Sequence, residues 1–92
     1  MSLVITRMIV VPVDKACTIN GQLKVDIDMS SLPSNLHAMQ WYDTWGEEEY
    51  DNGPGQPKPP NVRIENLDDY QTVIQEWEAA PFPPNPLAPV TP

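Results

Sequence analysis

Ninety-two residues, 40% of them hydrophobic, suffice for one domain with one modest core and leave little room for a deep catalytic cleft. The formal charge of -8 falls wholly after residue 40, where ten carboxylates face only Lys58 and Arg63, and five cations spread along the whole chain exclude a nucleic-acid partner. A lone Cys17 excludes an intrachain disulfide and a multi-cysteine metal site, and no stretch approaches the roughly 20 apolar residues that would cross a bilayer.

Residues 4–13 are rich in Val and Ile and predict a β-strand that Pro12 pushes toward an edge or a bend. Arg7 interrupts this run and no small-residue cleavage pattern follows, so it reads as a strand rather than a signal peptide. A hairpin follows. Asn20-Gly21 suits the two positive-φ positions of a type I′ turn, and residues 22–28 alternate apolar and polar. That alternation predicts Leu23, Val25 and Ile27 facing the core, with Lys24, Asp26 and Asp28 facing water.

After a turn-rich link at 30–35, residues 36–42 resume a strand whose His37, Met39, Trp41 face is the expected core side. Residues 44–46 predict a tight connection in which Gly46 takes positive φ, and 47–51 predict an acidic strand solvated on at least one side. Residues 52–60 include four prolines, which lack an amide hydrogen, and predict a surface loop. One short strand is expected over 61–65. Asn66 then suits a helix cap, with Asp68 and Asp69 in the first turn where the helix dipole favours negative charge. Leu67, Tyr70, Val73, Ile74 and Trp77 recur at spacings of three and four, so a helix reaching about residue 80 should pack one face on the sheet.

The expected architecture is therefore α+β: a small antiparallel β-sheet packed by one C-terminal helix over residues 1–80, followed by an extended proline-rich arm over 81–92. Six of those last twelve residues are prolines. A polyproline path would span about 37 Å at 3.1 Å per residue, and prolines reduce the entropy lost when such an arm docks on a neighbour through Phe82, Leu87 and Val90.

No constellation for catalysis emerges. His37 has no nucleophile or orienting carboxylate at a recognisable spacing, and nothing near Cys17 would lower its pKa. Glu47, Glu48, Glu49 and Asp51 supply oxygen ligands, but neighbours on a strand point to opposite faces and the glycine-punctuated calcium loop is missing, so they read as a solvated charge run. Walker loops, dinucleotide glycine patterns and zinc spacings are lacking too, so no cofactor is expected. Trp41, Tyr42 and Trp45 form the densest aromatic group. Tyr42 and, at the turn, Trp45 are the residues expected to meet a partner.

Leu36-His37-Ala38-Met39-Gln40-Trp41-Tyr42, then Gly46-Glu47-Glu48-Glu49-Tyr50, Asn61-Val62-Arg63-Ile64 and Leu67-Asp68-Asp69-Tyr70, resemble small proteins of tailed bacteriophages encoded among tail and tail-fibre genes. The resemblance covers about residues 35–80; the proline-rich ending departs from it. It implies a multi-copy, non-enzymatic virion structural protein of the tail region, assembled in the host cytoplasm and bound to other phage proteins. A tail-fibre assembly chaperone and a capsid decoration protein are the alternatives.

Overall fold

The computed structural model describes residues 3–81. Six antiparallel strands form one sheet: β1 (Arg7–Val11), β2 (Ala16–Ile19), β3 (Gln22–Lys24), β4 (Leu36–Tyr42), β5 (Trp45–Tyr50) and β6 (Val62–Ile64), in the spatial order β3-β2-β1-β4-β5-β6. A 3-10 turn, Asp68–Tyr70, leads into α1 (Gln71–Ala79), which lies on one face. The fold is α+β.

Side-chain alternation sorts each strand between two faces. On the helix side, one cross-strand row runs Gln22, Ile19, Met8, Trp41, Gly46, Ile64, and the next runs Lys24, Cys17, Val10, Met39, Glu48, Val62. The middle members of both rows are buried, and Tyr70, Val73, Ile74 and Trp77 of the helical segment close over them. Burying Val73 and Ile74 stabilises the docked helix by about 1.5–3 kcal/mol each.

The hairpin forms where expected, with Asn20 at φ 51° and Gly21 at φ 84°. Its facing departs from the expectation at Leu23, Lys24 and Val25, while Ile27 is buried and Asp26 and Asp28 are exposed as expected. Cys17 and Ile19 point into the core, and a two-residue turn places Lys24 opposite Cys17 and Gln22 opposite Ile19. Lys24 is therefore buried, while Leu23 and Val25 are exposed. The strand stops at Lys24, and Asp26 takes a left-handed φ of 60°. That kink returns Ile27 to the core, its N–H donating to the Lys15 carbonyl at 3.0 Å. Local alternation was overruled by the register that β2 imposes.

Asn20 does more than turn the chain. Its side-chain oxygen accepts from the Thr6 N–H, the Thr6 hydroxyl and the Arg7 N–H, and its Nδ2 donates to the Val4 carbonyl at 2.7 Å. The segment entering β1 is thereby tied to the hairpin tip.

In β4, Met39 and Trp41 face the core as predicted and His37 is exposed. A bulge between Leu36 and Ala38 shifts the register, so Leu36 joins the core as well. The β4–β5 turn has Asp43, at φ 64°, in the left-handed region, and Gly46 sits inside β5 opposite Trp41 without a positive φ. The reason for glycine there is space. A Cβ at Gly46 would stand 2.6 Å from the Gln40 carbonyl oxygen and 2.9 Å from the Trp41 ring.

The loop at 52–60 carries no strand or helix, in keeping with its prolines. Asn66 accepts the Asp68 N–H at 3.1 Å but is not the expected helix cap: Leu67 and Tyr70 stand at the N-cap positions of the 3-10 turn and of the α-helix, and neither makes a side-chain capping bond. The helix crosses the sheet from β5 to β3. Near its start the Tyr70 hydroxyl donates to Glu48 at 2.6 Å; near its end the Lys24 ammonium donates to the Trp77 carbonyl at 2.8 Å and lies 4.2 Å from the Trp77 ring centre. Trp77 Nε1 reaches the Gln22 carbonyl at 3.2 Å. Ala80 is extended, and Pro81 cannot continue the helix.

Gly46→Ala should lower unfolding stability by about 1–3 kcal/mol through overpacking against a backbone oxygen that cannot retreat. Urea denaturation followed by tryptophan fluorescence measures it, and an unchanged midpoint would refute the close-approach account.

Candidate protein-binding face

The face opposite the helix is largely uncovered by the described residues. A single row crosses all six strands on it: Leu23, Thr18, Ile9, Gln40, Glu47, Arg63. Leu23 and Ile9 are exposed, at 48% and 38% of their surface. The half of this face near β3 is thus apolar, and the half near β5 carries Glu47 and Glu49.

Along one edge of the face runs a stack of rings and guanidinium groups. Arg7 pairs with Tyr42 and Tyr42 with Trp45 across the strands. The Arg7 guanidinium carbon lies 5.3 Å from the Tyr42 ring centre, the Tyr42 and Trp45 rings are 4.8 Å apart at a 38° tilt, and Arg63 lies 4.7 Å from the Trp45 ring. Tyr42 also donates its hydroxyl to Gln40. Such contacts contribute about 0.5–1 kcal/mol each at exposed sites, so their main effect is to hold half-buried aromatic surface in a fixed pose. Rigid aromatic and arginine surface is what binding hot spots are made of.

Tyr42 and Trp45, the partner-contact residues expected from sequence, come together here. Phe82, Leu87 and Val90 lie outside the described residues, as does the arm beyond Pro81. Arg7, Arg63, Ile9 and Leu23 were not anticipated. Their signal was available in principle, since each alternates along its strand with residues of the helix-side face, but it becomes readable only once the register is known.

The acidic run divides as strand alternation requires. Glu47 and Glu49 share the open face, where Asn61 donates to Glu47 at 3.0 Å and Lys58 pairs with Glu49, holding that carboxyl below its usual range. Glu48 points the other way and is buried, contrary to a uniformly solvated run. Its neighbour Tyr70 has its phenol pushed far up, first by burial and then by the hydrogen bond to Glu48, so it remains a donor.

Other chemistry-bearing residues stay apart. His37 is exposed on β4, and Cys17 is fully buried in the core. No group of three metal-ligating side chains assembles among the described residues, and no helix among them is long and apolar enough to cross a membrane. An open groove of about 670 Å³ lies between the helix and one end of the sheet, floored by Ile5, Trp41 and Ile74 and rimmed by Asp43, Glu65 and Glu78. No family model, curated protein or solved structure matches this chain.

Burial alone pushes the Cys17 thiol up to about 12. The folded thiol stays protonated while the unfolded one ionises near 9, so its contribution to stability is complete below pH 9 and is lost as pH rises from there toward 12. At pH 8 the native protein should react with a thiol reagent at least about a hundredfold slower than the urea-unfolded chain. Comparable rates in the two states would contradict the buried position.

Proposed function

We propose that this chain is a non-enzymatic structural protein of a bacteriophage virion, tail or tail-fibre associated, that attaches to neighbouring virion proteins through the open face of its sheet and its C-terminal arm. The open face carries the reading. Six strands present exposed Ile9 and Leu23 beside a fixed ladder of Arg7, Tyr42, Trp45 and Arg63, while the helix occupies only the opposite side. An uncovered sheet face with apolar and aromatic surface gains free energy when a second protein covers it. The phage setting rests on the sequence resemblance over residues 35–80. Multiple copies in one particle accord with a small module whose contacts are individually modest.

Mass spectrometry of purified particles should find the chain at a fixed copy number that follows the tail. Absence from finished particles favours the assembly chaperone, and a copy number that follows the head favours capsid decoration. Replacing Trp45 by Ala together with Ile9 by Glu should reduce incorporation by at least about tenfold while leaving the folded domain intact, because hot-spot aromatics contribute about 2 kcal/mol or more to binding. Deleting residues 81–92 should have a comparable effect on incorporation. Normal incorporation of the double variant would rule out the sheet face as the interface.

A further inference from the structure

We infer that a cavity on the helix side of the sheet, around Glu48, is a socket for one cationic side chain of a partner protein. Glu48 lines this cavity of about 260 Å³ together with Leu32, Pro33, Tyr50, Asp69 and Tyr70. The cavity falls below the roughly 300–1,000 Å³ of small-molecule pockets and suits a single side chain. Glu48 is 8% exposed, and the hydroxyl of Tyr70 donates to it at 2.6 Å. The Tyr50 side chain hydrogen-bonds to it as well, but neutral hydroxyls alone do not balance the charge of a carboxylate taken out of water, and such a group ordinarily has a cation beside it.

None of the protein's own five cationic side chains fills that role. Lys24, the buried one, lies four strand spacings away along the same row, roughly 19 Å, with its ammonium on Trp77. Lys58, in the loop before β6, binds Glu49, and Arg63 of β6 lies over Trp45, both on the opposite face. Arg7 sits over Tyr42, and Lys15 acts on Asp28. The cavity therefore combines a buried carboxylate, a second carboxylate from Asp69, the aromatic walls of Tyr50 and Tyr70 and an apolar lip from Leu32 and Pro33. An arginine or lysine inserted there gains a charge-assisted hydrogen bond and aromatic contact at once, while its aliphatic stem covers the lip. The site lies on the other side of the sheet from the proposed virion interface and does not depend on it.

The probe is acetyl-Gly-Arg-Gly-amide, titrated into the full chain and followed by NMR, with the neutral citrulline peptide as control. Saturable shifts are expected at Leu32, Glu48, Tyr50 and Asp69, with affinity at least about tenfold above that of the citrulline peptide. Glu48→Gln, which can still accept the Tyr70 hydroxyl, should abolish that preference, and the exposed Asp69→Asn should weaken it should the first variant fail to fold. Ile9→Glu, which damages only the open face, should leave it unchanged. Equal binding of both peptides, shifts confined to the open face, or a preference that survives in a folded Glu48→Gln variant or, failing that, is undiminished in Asp69→Asn would overturn the socket.

Discussion

The helix is held across the sheet by a buried charge at each end of its path, and the rest of the molecule follows from that placement. Lys24 and Glu48 belong to one cross-strand row, with Cys17, Val10 and Met39 between them. The ammonium engages the last turn of the helix through the Trp77 carbonyl, and the carboxylate engages, through Tyr70, the 3-10 turn that leads into it. The signs also agree with the helix dipole, positive charge at the C-terminal end and negative at the N-terminal end. Hydrophobic burial supplies most of the stabilisation, but it is non-directional. The two polar anchors select one crossing direction from the several that the apolar surfaces would tolerate.

Among the described residues a single helix covers one side, so the sheet has two unlike faces. The covered face is closed by large side chains and by Gly46, whose missing side chain admits the Trp41 ring. The open face is built from the alternate residues of the same strands, so its composition is constrained by the core behind it. Arg7 is next to Met8, Tyr42 next to Trp41, and Trp45 next to Gly46. The aromatic and guanidinium ladder is thus a by-product of register as much as of sequence, and a slip of one residue would send its members into the core.

Charge is distributed with the same logic. Arg7, Lys24 and Arg63 lie over aromatic rings of this chain, Lys58 pairs with Glu49, and Lys15 exerts a weaker electrostatic pull on Asp28. The surplus of carboxylates is consequently uncompensated from within, and the negative field of a chain with net charge -8 favours approach by cationic surfaces.

The α+β class, the Asn20-Gly21 hairpin, the core face of β4 and the apolar stripe of the helix were all legible from residue types and spacing, because each is set by contacts between near neighbours in sequence. Tyr42 and Trp45 could be picked out as aromatics left outside the buried core for a similar reason: too many aromatics fall in one short stretch for all to be core. The sequence could not say that Lys24 is buried and Leu23 exposed. Residues 22–28 alternate either way, and the choice was made by β2, whose Cys17 and Ile19 were already committed to the core. It could not say that Glu48 alone of three glutamates turns inward, nor that Gly46 serves close packing rather than a turn, since both depend on what the helix and β4 place opposite them. Local pattern determined which segments are strand and helix; the pairing of strands far apart in the chain decided which side of each segment meets the core, and with it every residue of the two candidate sites.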